Sequence, residues 1–170
     1  MLYGVCWVCG ETFEATGPDG IMRHVIAFHP NDRNSIYVSI GDDNDIAGSQ
    51  NLTRYVGKIL RINKTNGQGY TDSPWQDGTT TSIRSRLWAI GFRNPFRWSF
   101  DFHAGSPPRF AIGDVGQDLF EEVDYVSFAT AKGGNFGWNN CEGFADFNGN
   151  CPSSTIKPVL ALSHNDGYCS

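Results

Sequence analysis

The sequence predicts an all-β fold, and three observations carry that prediction. Gly supplies 20 of the 170 residues and aromatic side chains reach 14%. Charged residues make up only 18%, against a usual share of roughly 25%. Apolar residues fall in short runs punctuated by Gly, Pro, Asn and Asp, the pattern of half-buried strands joined by turns, and no long amphipathic helix competes with it.

Taken in order, the strand candidates are residues 24–28, 36–40, 57–62, 87–91, 97–100, 109–112, 122–126 and 158–162. Each is rich in β-branched or aromatic side chains and is bounded by turn-forming residues. The polar stretch 63–84 exceeds an ordinary connection, as does 133–154, and connections of that length are usually functional or mobile. An ungapped internal match sets AFHPNDRNSIYVSIGD, residues 27–42, against SFDFHAGSPPRFAIGD, residues 99–114, an offset of 72. Each copy reads as strand, turn, strand, with Gly41 or Gly113 closing the second strand and Asp42 or Asp114 opening the next loop. Chance agreement between β-rich segments would explain a short match. A repeated sheet module explains the shared register, and propeller blades recur at about 40 to 50 residues before insertions. The chain therefore reads as a partial β-propeller of about three to four four-stranded antiparallel blades, one partial domain over residues 1–170 with residues 1–16 unplaced. Too few blades to close a ring leave sheet edges exposed, so a larger domain is expected.

Composition also excludes partners. With 13 basic against 18 acidic residues and a formal net charge of −5, no Lys/Arg stripe exists to neutralise a phosphate backbone, and nucleic acid is excluded. No apolar run approaches the roughly 18 residues of a membrane span. The opening MLYGVCWVCGETFEATG lacks the basic and apolar regions of a secretory signal. The hydrophobic share of 39% excludes a disordered chain.

Several residues carry chemistry on their own account. Arg93 precedes Asn94 and Pro95, and Pro95 holds Asn94 extended. A guanidinium there suits a carboxylate or a developing oxyanion; pairing with a loop carboxylate would suit it equally. GDVGQDLFEEVD gathers Asp114, Asp118, Glu121, Glu122 and Asp124, a density of hard oxygen ligands that fits Ca²⁺ better than Zn²⁺ but also fits a solvated acidic turn. Cys141 and Cys151 flank a Gly/Asn loop that a disulfide could close, and Cys169 is left for a partner elsewhere. Cys6 and Cys9 have CxxC spacing without the second pair a zinc site needs. Asn51 and Asn63 begin glycosylation sequons that matter only in a eukaryotic secretory host.

Four segments, IYVSIGDD with YVGKILRIN, LWAIGFRNPFRWSFD, FAIGDVGQDLFEEVDYV and GGNFGWNNCEG, resemble the soluble glucose/sorbosone dehydrogenase family. Its members are quinoprotein aldose sugar dehydrogenases, six-bladed propellers that bind pyrroloquinoline quinone (PQQ) and calcium. The match continues through PVLALSH. The resemblance implies that Arg93 and Asn94 contact PQQ on the central face, with Arg93 near the quinone oxygen that becomes negative. Asp43 and Val115 would be further cofactor contacts, although Asp43 stands where relatives carry Gln or Gly. The main-chain carbonyls of Gly116 and Gln117 would hold the calcium that bridges to PQQ. A second, structural calcium would take Glu122, the Phe136 carbonyl and Asp146; Phe for Tyr is harmless when the ligand is a carbonyl.

The family's catalytic His falls on Ile21, and the internal offset maps Arg93 back onto the same position. Ile cannot act as a base. Either His24 reaches in as the catalytic base after a local shift, or the protein lacks ordinary sugar oxidation and His24 is a packed or surface residue. His164 is the one remaining His with a claim on the site. The implied activity is oxidation of an aldose at its anomeric carbon to a lactone, with an external electron acceptor and room for a homodimer. The implied compartment is periplasmic or extracellular. The rival reading is a non-catalytic extracellular binding propeller resembling hedgehog-interacting proteins, favoured by Ile21 and Asp43.

Overall fold

The computed structural model describes residues 5–7, 10–16, 23–29 and 31–168, with side chains from residue 25 onward. The strands are β1 (Val5–Trp7), β2 (Gly10–Thr16), β3 (Arg23–His29), β4 (Asp32–Ile40), β5 (Lys58–Asn63), β6 (Leu87–Ile90), β7 (Pro95–Asp101), β8 (Arg109–Asp114), β9 (Phe120–Ser127), β10 (Cys141–Glu142), β11 (Ala145–Asp146) and β12 (Leu160–Ser163). One short helix, α1 (Phe128–Ala131), follows β9. Every expected strand is present.

Successive strands pair antiparallel. The first sheet runs β1-β2-β3-β4-β5-β6; the second runs β7-β8-β9, with β12 beyond β9; β10 and β11 form a separate ribbon. Each long sheet contains the four-stranded meander expected of a blade, β3 to β6 in the first and β7, β8, β9 and β12 in the second. The two long connections absorb the length that a 40-to-50-residue blade period would assign to further strands. The internal repeat is visible in the backbone: β3 and β7 start and end 72 positions apart, and each opens a hairpin, with β4 or with β8.

Period-two alternation decides which faces meet. On β4, Ser35, Tyr37 and Ser39 are buried, and on β8 so are Phe110, Ile112 and Asp114. Between the sheets lies an aromatic core in which Tyr37 meets Phe100 edge-on at 5.5 Å and Trp88 edge-on at 5.4 Å, while Phe110 stacks on Phe128 at 5.7 Å. Such pairs contribute roughly 0.5 to 1.5 kcal/mol each beyond the area they bury. The other face of the first sheet packs Leu60, Leu87 and Ile90 against Val38, Ile40 and Tyr55.

Two polar devices hold the connections. Lys58 is fully buried, and its Nζ donates to the carbonyls of Gly48, Ser49 and Val56 at 2.7 to 2.8 Å, fixing the turn before β5. Arg61 donates to Asp32 and Asp72 at 2.9 Å each and lies 3.9 Å over the Tyr70 ring, clasping the long 64–86 connection to β4 and β5.

Candidate functional site

The linker 91–94, between β6 and β7, is where the two sheets join. Gly91 has φ 82°, and a Cβ there would stand 2.2 Å from Asn135 Oδ1, so only glycine fits. Phe92 is buried and stacks on Phe136 at 4.4 Å, tying the linker to the GGNFGW segment. Arg93 is then gripped at both of its peptide groups. The Asp42 N–H donates to its carbonyl at 2.7 Å, and its own N–H donates to Asp114 Oδ2 at 3.0 Å. The Asn94 N–H reaches the other Asp114 oxygen at 2.6 Å, and Val115 N–H returns to the Asn94 carbonyl at 3.0 Å. The repeated aspartates, Asp42 and Asp114, thus converge on one dipeptide.

The Arg93 side chain is half-buried and directed by the following loop. Nε donates to Gln117 Oε1 at 2.8 Å and Nη1 to the Val115 carbonyl at 3.1 Å, while Nη2 makes no hydrogen bond among the described residues. Arg93, Asn94, Val115 and Gln117 are therefore brought together. Asp114, beneath them, is buried; burial first and the Glu122 charge second push its carboxyl well above the usual range, against the two amide bonds it accepts. Burial likewise pushes Glu122 up to about 7, opposed by the Gly143 N–H bond and reinforced by Glu142.

Loop 115–119 is shaped by Gly116 and Glu142. A Cβ on Gly116 would stand 1.6 Å from the Phe120 carbonyl oxygen. Glu142 is buried at the end of β10, and its Oε1 accepts the N–H groups of Gln117, Asp118, Leu119 and Phe120 at 2.7, 2.9, 2.8 and 3.0 Å. Its Oε2 is buried with no partner among the described residues. The carbonyls of Gly116, Gln117 and Phe136 accept no hydrogen bond from the described residues. Next to the loop, His164 Nε2 lies 3.1 Å from Glu121 Oε1, and Glu121 Oε2 accepts the Gly116 N–H at 3.2 Å.

The remaining candidates are more dispersed. Asp43 is exposed at φ 52°, one position beyond the gripped Asp42. Glu122 Oε1 accepts the Gly143 N–H at 2.6 Å. Phe136 is buried, whereas Asp146 is exposed and pairs in register with Cys141, its Oδ1 accepting the Cys151 N–H at 2.8 Å. Among the described residues no three His, Cys, Asp or Glu side chains are arranged to hold a metal ion, so main-chain carbonyls would have to supply ligands. His24 lies in β3 opposite Ala15, with its side chain outside the described set, and Ile21 lies outside the described residues altogether. Cys141 and Cys151 form the disulfide. Glu142 was missed by sequence reasoning although it stands inside the quoted GGNFGWNNCEG; its one signal was an acidic residue in an otherwise neutral segment.

Comparison with known proteins now bears on this geometry. The family model described as glucose / sorbosone dehydrogenase matches residues 13–160. The chain is 32% identical over 152 residues to the HIPL1 protein of Arabidopsis thaliana, covering 75% of this chain and 21% of that protein. It is 28% identical over 115 residues to quinoprotein glucose dehydrogenase B of Acinetobacter calcoaceticus, covering 65% of this chain and 21% of that one. The chain thus spans about a fifth of the length of these curated relatives. Among solved structures, the PQQ-bound aldose sugar dehydrogenase of Streptomyces coelicolor superposes with a TM-score of 0.61 at 24% identity, over 90% of this chain and 39% of that one. The apo-form of the soluble aldose sugar dehydrogenase of Escherichia coli gives a TM-score of 0.63 at 17% identity, over 89% and 53%. These last two likenesses carry the fold. The family match runs through both sheets, the linker that holds Arg93 and the loop wrapped around Glu142, and the chain belongs to the glucose/sorbosone dehydrogenase family.

Proposed function

We propose that this chain forms part of a PQQ- and calcium-dependent quinoprotein that oxidises an aldose at its anomeric carbon to the lactone. The observation that carries the reading is Arg93: its backbone is fixed by Asp42 and Asp114, its Nε and Nη1 are fixed by Gln117 and Val115, and Nη2 is left uncommitted. The donor set fits the cofactor. A directed guanidinium suits a carboxylate-bearing quinone, and the unbonded carbonyls of Gly116 and Gln117 are the hard oxygen donors calcium takes. Asp43 and Val115 are the flanking cofactor contacts. Burial raises the carboxyls of Asp114, Glu122 and Asp124, and the reading includes a second calcium with Glu122, the Phe136 carbonyl and Asp146 as its ligands.

Bound there, the cofactor supplies the acceptor for the hydride that leaves the anomeric carbon. Arg93 Nη2 would be the donor offered to the oxygen on which negative charge develops. Asn94 and Val115 border the ring. His24 holds the proton given up by the anomeric hydroxyl. An external acceptor would take up the electrons, and the setting would be periplasmic or extracellular, for which the Cys141–Cys151 disulfide is suited. No helix among the described residues is long and apolar enough to cross a membrane. A homodimer and a single partial propeller domain belong to the same reading.

The test is titration of the full-length protein with PQQ in Ca²⁺, followed by dye reduction with aldoses. Saturable PQQ binding and cofactor-dependent turnover are expected. Folded protein without either removes the enzyme reading and leaves the second one, a non-catalytic extracellular binding propeller. That alternative is favoured by Ile21, by Asp43 and by the 32% identity to the HIPL1 protein.

A further inference from the structure

We infer that Glu142 is a positioning residue that aims the Gly116 and Gln117 carbonyls outward toward a bound cation. The inference deepens the calcium reading above and rests on it. Four consecutive amides, those of residues 117–120, converge on the single oxygen Oε1 of a fully buried carboxylate. Successive N–H groups closing on one acceptor oxygen form a concave nest.

The peptide plane converts that inward grip into an outward presentation. The Gln117 N–H and the Gly116 carbonyl share one peptide unit, as do the Asp118 N–H and the Gln117 carbonyl, and neither unit is cis. In a trans peptide the N–H and C=O point in opposite directions. Turning both N–H groups onto Glu142 therefore turns both carbonyls away from it, and neither accepts a hydrogen bond from the described residues. Gly116 is required for the same closure, because a Cβ would stand 2.7 Å from Glu142 Oε1 as well as against Phe120. Glu142 itself is held in the β10–β11 ribbon, paired with Ala145 and next to the Cys141–Cys151 disulfide. An oxygen that never touches the cation thus sets two of its ligands.

Full-length Glu142→Ala and Glu142→Gln would be compared with the wild type by calorimetric Ca²⁺ titration and by hydrogen exchange of the 117–120 amides, with near-UV circular dichroism reporting folding. In Glu142→Ala the four amides should exchange faster and Ca²⁺ affinity should fall roughly 10- to 100-fold, the range for residues that orient metal ligands. Glu142→Gln keeps an acceptor oxygen of the same reach and should restore part of both. Faster exchange with unchanged affinity, or unchanged exchange in Glu142→Ala, overturns the inference. Where the alanine variant does not fold, Glu142→Gln decides: lowered affinity with faster exchange supports it and wild-type affinity overturns it. Folded wild type with no saturable Ca²⁺ binding sinks the calcium reading itself, a result distinct from a wild type that binds beside variants that bind equally.

Discussion

Trp138 donates its indole N–H to Asp42 Oδ2 across 2.9 Å, joining residues 96 positions apart, and both side chains are buried. The contact fastens the GGNFGW segment to the end of β4, beside the peptide group of Arg93. Asp42 also receives the Asn44 N–H at 3.2 Å, so one carboxylate both terminates the first repeat and anchors a distant loop.

Replacing Asp42 tests that anchor. Asp42→Ala leaves the indole N–H buried without a partner and should destabilise by about 1 to 3 kcal/mol. Asp42→Asn keeps an acceptor and should cost less. Urea denaturation followed by tryptophan fluorescence measures both, and equal midpoints for wild type and Asp42→Ala would refute the assignment.

Two glycines three positions apart should behave oppositely. At Gly116 an added Cβ would collide with the Phe120 carbonyl oxygen, whereas at Gly113 the nearest atom, the Arg97 carbonyl oxygen, is an ordinary 3.6 Å away. Gly116→Ala should cost about 1 to 3 kcal/mol, as overpacking does. Gly113→Ala should be near neutral. Thermal unfolding of the pair is sufficient, and similar losses at both would show that the loop has slack.

Arg93→Lys retains the charge and loses the fork. Without the Nε bond to Gln117 and the Nη1 bond to Val115, PQQ affinity in Ca²⁺ should weaken about 10- to 100-fold, the worth of one charged hydrogen bond. Because the side chain is only half-buried, unfolding should shift little. A fluorescence titration that shows unchanged affinity would remove Arg93 from the cofactor site.

His29 should make the fold acid-sensitive. It is buried against Phe100, Phe128 and Tyr37, and its Nδ1 accepts the Asn31 N–H at 3.2 Å. Burial lowers its pKa from 6.5, opposed by Asp32 and assisted by Arg61. Below 6.5 the unfolded chain therefore takes up a proton that the folded one resists, and this contribution to stability, complete above 6.5, is lost as pH falls through the folded value. His29→Phe should flatten the fall in stability between neutral pH and mild acid relative to wild type. Parallel profiles would show that other groups govern that range.

The eight longer strands from β3 onward were legible as short apolar runs set off by turn residues, but the inward face of β4 was not, because IYVSI is apolar on both faces and it is Tyr37 and Ser39 that are buried. The hairpin repeat was legible because IGD recurs at the end of both hairpins, although β4 stops at Ile40 and β8 runs on to Asp114. What stayed hidden is tertiary. β10 and β11 are two residues each, too short to leave a period, and nothing in CEG announces that its Glu gathers four amides from a loop more than twenty positions earlier. Arg93 could be named from its motif, but its fixation by Asp42 and Asp114 depends on two strand ends meeting. Asp146 too was named from its motif position, but not its contact with the disulfide loop, where its Oδ1 accepts the Cys151 N–H.

The double grip on Arg93 has a mechanical consequence. Because Asp42 follows β4 of the first sheet and Asp114 ends β8 of the second, the peptide of residue 93 is the pivot about which one sheet would tilt against the other. A side chain mounted on a pivot turns with any such tilt.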